Sequence, residues 1–129
     1  MIVIDGKDAV LGRLTSFAAK ESMKGEEIAV VNCDEIIITG NKKDIRQNFE
    51  HRKKWVGSTQ KGPKNSLIPS RIVKKTIRGM LPNARRSGRG RDAIKRVKCY
   101  GNIPREFESA KKINLRADKN KFMMMKEIR

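Results

Sequence analysis

The sequence predicts an α/β fold. Three observations carry that prediction: an apolar run at residues 28–32 without polar alternation, an earlier apolar run at residues 1–5, and a segment of helical periodicity between them. A strand that never alternates is buried on both faces, as in a parallel sheet covered by helices. Strand, helix and strand within about 30 residues make a βαβ unit with a right-handed crossover. At 129 residues the chain fits a single domain, 1–129, and is too short for a second independent core.

Met1–Asp5 (MIVID) reads as a short buried strand closed by Gly6. Asp8 is placed to cap a helix whose Leu11, Leu14, Thr15, Ala18 and Ser22 share one small-sided face, and Gly25 ends it. Ile28–Asn32 is the second strand, and Ile36–Thr39 adds a third short one. Gly40–Lys42 opens a helix in which Ile45, Phe49 and Val56 align. Residues 57–70 (GSTQKGPKNSLIPS) read as a loop, and Pro69 suits the first turn of a helix running to about Met80. Leu81–Arg91 reads as a Gly/Arg-rich loop, followed by a short helix at Asp92–Arg96 and a strand at Val97–Tyr100. Towards the C-terminus, Ile113–Leu115 is read as a strand and Phe122–Ile128 as a helix.

The charge is concentrated in one part of the chain. Residues 1–41 carry four basic and seven acidic side chains, net −3; residues 42–105 carry 20 and three, net +17; residues 106–129 carry seven and four, net +3. Self-repulsion at the density of the middle section opposes compaction unless a counter-charge is supplied. Nucleic acid, an anionic membrane or an acidic protein can supply it; the plain alternative is a solvated basic face. With 37% hydrophobic residues the chain has material for a core, so wholesale disorder is not expected. No apolar run approaches the roughly 18–20 residues of a membrane span. Asp5 and Asp8 close behind Met1, without a basic start or a long apolar stretch, predict no secretory signal. Two cysteines are too few for a disulfide scaffold and suit a reducing compartment.

Within the middle section, Arg71, Lys74, Lys75 and Arg78 fall at i, i+3, i+4 and i+7, one basic stripe, with Ile72, Val73, Thr76, Ile77 and Met80 on the other side. Four like charges on one face destabilise an isolated helix. An apolar back docked on a core and a basic front aimed at phosphates resolves the conflict. The same shape can lie on a membrane, but this apolar face lacks Trp or Phe and is needed by the sheet. Residues 85–91 (RRSGRGR) set four arginines among small residues, which lets the backbone approach phosphates that guanidinium groups bind in pairs. Against contact stands the reading of a merely flexible basic loop.

Other chemistry finds little support. Gly88–Ala93 fits the dinucleotide pattern GxGxxA but lacks the preceding apolar strand that the pattern requires. Gly40-Asn-Lys42 can hold an anion at a helix start, or can be a plain strand-to-helix turn. His51, the one histidine, lies among Arg52, Lys53 and Lys54; with Cys33 and Cys99 it makes at most three soft ligands without zinc spacing. Asp5, Asp8, Asp34 and Glu35 near strand ends are explained by turns and caps, and Met123–Met125 by packing. No metal, cofactor, catalytic residue or small-molecule substrate is expected. The six aromatics are dispersed and form no base-stacking sheet, so recognition is expected through phosphates and shape.

Taken as a set, Gly6-Lys-Asp-Ala-Val-Leu-Gly-Arg-Leu14, Ala18-Ala-Lys20, Gly25-Glu26 before Val30-Val-Asn32, Ile38-Thr-Gly-Asn-Lys42, Ile77-Arg-Gly-Met-Leu-Pro82, Gly88-Arg-Gly-Arg91 and Val97-Lys-Cys-Tyr-Gly101 with Pro104 resemble the large-subunit ribosomal protein L13 family. The likeness is colinear over residues 2–105, in the form of the archaeal and eukaryotic-cytosolic branch. It implies a three-layer α/β/α domain with a largely parallel four-stranded sheet. It also implies a structural, non-enzymatic protein of the cytoplasmic large subunit, bound to large-subunit ribosomal RNA and neighbouring ribosomal proteins. The family's RNA-facing segments map onto residues 42–54, 71–78 and 85–96, which the charge count selects on its own.

RNA contact is therefore expected at Lys42, Lys43, Arg46, Arg52, Lys53, Lys54, Lys61, Lys64, Arg71, Lys74, Lys75, Arg78, Arg85, Arg86, Arg89, Arg91, Lys95 and Arg96. Arg78, Arg85, Arg86, Arg89 and Arg91 are expected to clamp phosphates; Lys74 and Lys75 contribute mainly field. The tail beyond residue 106 departs most from the family pattern. Two rival readings are an RNA-binding regulator of translation outside the ribosome and a small α/β hydrolase of nucleotides or nucleic acid using strand-end carboxylates.

Overall fold

Ile-Ala-Val-Val at 28–31 offers no polar side chain to water, and the computed structural model buries all four as the inner strand β2 (Ile28–Val31). The structure describes residues 1–55, 57, 62–86 and 88–128. β1 (Ile2–Asp5) lies parallel to β2, pairing Ile2 with Ile28 and Asp5 with Val31. α1 (Leu11–Met23) makes the crossover between them. β4 (Val97–Cys99) joins the far side of β2 and β5 (Lys112–Asn114) the far side of β1, both parallel, so the sheet runs β4-β2-β1-β5. The expected parallel four-stranded sheet is present; its edge strand β5 begins one residue before the predicted Ile113.

Alternation sorts the strands onto two faces. Ile4, Ile28, Val30 and Val97 face the larger core, where Leu14 and Ala18 of α1, Ile45, Val73, Ile77 and Ala93 gather. Val3, Ala29 and Val31 face the other way, against Phe107 and Tyr100. Of the three expected layers, this one is thin: a 3₁₀ turn at Arg105–Phe107 covers it among the described residues. The buried face of α1 includes Thr15 and Ser22, whose hydroxyls donate to the carbonyls of Leu11 (2.7 Å) and Ala19 (2.8 Å). Each polar atom is thus satisfied inside its own helix, and burial leaves no unpaired donor.

Asp8 does not cap α1. Val10 holds that position without a side-chain bond, and Asp8 sits at φ +56°. Its backbone is committed elsewhere: its N–H donates to Glu35 O (3.3 Å) and its carbonyl accepts from Ala117 (3.1 Å). At the other end, Gly25 (φ +98°) follows the C-cap Lys24 as expected, a left-handed exit that glycine allows.

The predicted third strand exists as β3 (Ile37–Thr39) but lies outside the main sheet, antiparallel to β6 (Phe122–Met124). This overturns the helix expected at Phe122–Ile128, which is a strand followed by a 3₁₀ turn, Met125–Ile128. Methionine favours helices, yet Met123 and Met125 are both fully buried while Met124 faces the other way, a period of two. Pairing with β3, continued by Met125 N–H to Ile36 O (2.8 Å), overrides the local preference.

Among the described residues, three helices lie between β3 and β4. α2 (Lys42–Lys53) starts at Asn41, whose side chain accepts from Lys43 N–H (3.3 Å), and buries only Ile45, with Phe49 half-buried. Val56, expected on the same line, lies outside the described residues. α3 (Pro69–Met80) has the predicted bounds and buries Ile72, Val73 and Ile77. Met80, assigned to the apolar side, projects past the core and is exposed.

α4 (Arg89–Lys95) begins three residues before the predicted Asp92, so the loop ends at Gly88. Gly90 explains the difference. It packs so tightly that a Cβ there would lie 1.8 Å from Pro82 O. What read as a flexible glycine is a helix seated on the preceding loop.

Candidate nucleic-acid interface

α3 turns Ile72, Val73 and Ile77 into the core, which forces its stripe outward: Arg71, Lys74 and Lys75 are exposed and Arg78 half-buried. The seating of Gly90 on Pro82 brings α4 and the Arg85 loop up to the same side. The result is an open concavity of about 840 Å³. Lys64, Arg71, Lys74, Lys75, Arg78, Arg85, Arg91 and Lys95 line it, over a floor that includes Ile72, Ala84 and Ile94. No carboxylate lines it among the described residues. A smaller hollow of about 480 Å³ continues past Lys75, Arg78 and Arg85 to Arg86. A third, about 290 Å³, runs between α2 and α3 and adds Arg52.

Asn65 holds this side together. Its amide donates to Arg52 O at the end of α2 (2.8 Å), and its carbonyl accepts from Lys75 Nζ on α3. Arg91 Nη1 donates to Arg86 O (2.6 Å), bracing the loop against α4. None of these bonds neutralises a cation. Ion pairs among the described residues join Met1 to Glu26, Lys24 to Glu21 and Lys42 to Glu127, so of the expected contact residues only Lys42 has an acidic partner, at 3.5 Å.

The remaining expected residues are placed differently. Lys43, Arg46, Lys53 and Lys54 are exposed along α2, and Arg89 is exposed at the start of α4, outside the concavity. Arg96 is half-buried and turned inward, Nη1 donating to Ser22 O at the end of α1 (3.2 Å). Lys61 lies outside the described residues. Sequence reasoning missed Asn65, which carries no charge signal. It also missed Lys121, which meets Gly40, Asn41 and Lys42 around a hollow of about 430 Å³ only because β6 pairs with β3.

The groups considered for other chemistry have structural occupations. Asp5 Oδ1 accepts from Lys7 N–H (3.0 Å) and Asn32 Nδ2 (2.8 Å), holding the turn after β1. His51 is exposed and stands edge-on to Trp55. Among the described residues no three His, Cys, Asp or Glu side chains gather as a metal site. Cys33 and Cys99 meet where the turn after β2 passes the end of β4; Cys33 N–H donates to Tyr100 O (3.1 Å). The Cys33 thiol donates to Val30 O (3.8 Å), and its pairing with Cys99 holds the Cys99 thiol below its ordinary pKa, against the effect of burial and aided by the Lys74 ammonium. The same pairing, with burial, pushes the Cys33 thiol up. No described helix is long and apolar enough to cross a membrane.

A small α/β core carrying a cationic concavity that no carboxylate lines among the described residues defines a protein built against a polyanion. The family model for ribosomal protein L13 matches residues 1–106, and the chain belongs to that family. It is 40% identical over 131 residues to the large ribosomal subunit protein uL13 of Methanocaldococcus jannaschii, covering 99% of this chain and 94% of that one. The uL13 of Natronomonas pharaonis is 40% identical over 98% of this chain and 87% of its own. That of Thermoplasma volcanium is 38% identical over 86% and 79%. The family model ends at residue 106, whereas the likeness to the Methanocaldococcus and Natronomonas proteins runs on through the tail.

Proposed function

We propose that this protein is a structural constituent of the cytoplasmic large ribosomal subunit, binding large-subunit ribosomal RNA through phosphates and shape and adjoining other ribosomal proteins. One observation carries the reading: eight lysines and arginines from two loops, α3 and α4 line a single concavity without an acidic partner among the described residues. A row of cations held in place and left uncompensated is the electrostatic complement of a phosphate backbone. The relatives, named as large-subunit proteins, support the ribosome as the source of that RNA.

In this reading Arg71, Lys74, Lys75, Arg78, Arg85 and Arg91 meet phosphates directly, with Lys64 and Lys95 at the margins. Arg86 and Arg52 extend the track at its two ends. Lys42, Lys43, Arg46, Lys53, Lys54, Lys61 and Arg89 add a second rank of contacts. Arg96 serves the fold. The inward-facing apolar side of α3 speaks against a membrane, because those residues are already spent on the core.

Sedimentation of the tagged protein in a gradient, before and after a high-salt wash, tests the assignment. Stoichiometric co-migration with the large subunit is expected. A protein confined to light fractions overturns it in favour of a regulator outside the ribosome. Divalent-dependent turnover of RNA or nucleotides that is lost on changing Asp34 overturns it in favour of an enzyme.

A further inference from the structure

The cationic groove accounts for phosphates but leaves Trp55 unexplained. It is the single tryptophan of the chain, and 49% of it is exposed. The residue is held in place: its N–H donates to Arg52 O (3.3 Å), and its ring stands against His51 with centroids 5.7 Å apart and planes at 85°. That same Arg52 carbonyl accepts from Asn65, whose side chain also takes the Lys75 ammonium. The Trp55 backbone is therefore fixed three hydrogen bonds from Lys75 of the basic stripe, at the α2 end of the groove.

Its surroundings select the occupant. Arg52, Lys53 and Lys54 precede it, all exposed and without an acidic partner among the described residues. α2 offers a lipid surface nothing else, since its only apolar residues, Ile45 and Phe49, point into the core. A protein hot spot sits in a well-packed, desolvated pocket, and here the half-exposed indole stands beside exposed cations. A nucleotide supplies both requirements at once, a flat π face for the indole and a phosphate for the lysines. We propose that Trp55 is a stacking platform for an unpaired RNA base next to the segment whose phosphates the groove holds. The proposal rests on the RNA-binding reading and adds to it a single-stranded nucleotide, one that base pairing would otherwise hide.

A single tryptophan makes the test direct, because intrinsic fluorescence reports residue 55 alone. The full-length protein is titrated with two end-labelled RNAs at one ionic strength, a hairpin with a purine loop and a blunt duplex, and binding is followed by anisotropy. Both should bind, and only the hairpin should quench the tryptophan. Trp55→Leu should weaken the hairpin by about 5- to 150-fold and leave the duplex unchanged, which also shows that the variant is folded; Trp55→Phe should restore most of the loss. Equal hairpin affinity for wild type and Trp55→Leu, or hairpin binding without quenching, overturns the stacking role while leaving the groove intact. Failure of both RNAs to bind overturns the groove reading itself. Quenching by a neighbouring ribosomal protein instead of RNA assigns the surface to a protein partner and refutes the proposal.

Discussion

Gly90→Ala should be the most damaging small substitution in the chain. The added Cβ would sit 1.8 Å from Pro82 O and 2.8 Å from Pro82 C. Both are backbone atoms, so no rotamer change relieves the clash. α4 must lift from the 81–88 loop or the loop must shift. Overpacking of this kind costs about 1–3 kcal/mol, of which the better helix propensity of alanine returns at most about 1 kcal/mol. Gly79→Ala is the control: it lies in α3 with nothing within 4 Å of the new methyl group, and should be neutral or stabilising. Urea unfolding of the two variants should show opposite or clearly unequal midpoint shifts at unchanged slope. Because α4 carries Arg91 and Lys95 and the loop carries Arg85, Gly90→Ala should also weaken RNA binding at salt where the fold is intact. A Gly90→Ala protein as stable as wild type, with unaltered RNA affinity, would refute the close seating of α4 and the groove geometry built on it.

Replacing Arg71, Lys75 or Arg91 by alanine should each reduce the salt slope of RNA binding by about one unit in filter-binding titrations. Arg96→Ala should leave that slope alone and instead lower the unfolding midpoint, since its guanidinium is bonded to Ser22 O. Met125→Ala, close to the C-terminus yet fully buried, should cost about 2–5 kcal/mol in chemical denaturation; a loss near zero would mean that the tail is not part of the core. Alkylation monitored by mass should label Cys99 before Cys33. The Cys99 thiol is held below its ordinary pKa, so it forms thiolate, and reacts, at lower pH in the folded chain than in the unfolded one. Cys33→Ala should move that profile back upward, Lys74→Met by less, and a profile unmoved by Cys33→Ala would disprove the pairing of the two thiols.

Where the sequence was legible, the information was local. Pro69–Met80 could be bounded from its starting proline and the 3.6-residue spacing of Ile72, Val73 and Ile77, and the same spacing put Arg71, Lys74, Lys75 and Arg78 on one face. The site was legible to the same depth: the stripe and the Arg85–Arg91 run could be named as cationic. Their convergence with Lys64 and Lys95 could not. Arg96 shows the limit from the other side, an arginine inside a basic run that the fold uses for itself.

Periodicity and charge act between residues a few positions apart, so the amino-acid order alone determined the parallel βαβ core, the amphipathic α3 and a middle section in need of a polyanion. Tertiary structure alone decided that Phe122–Met124 is a strand against β3, with Met123 and Met125 both buried. It also decided that α4 starts at Arg89 on the back of Pro82, and that scattered lysines and arginines share one hollow. Each of those outcomes depends on contacts between segments remote in the chain. Their strength lies in packing and backbone pairing that no local pattern records.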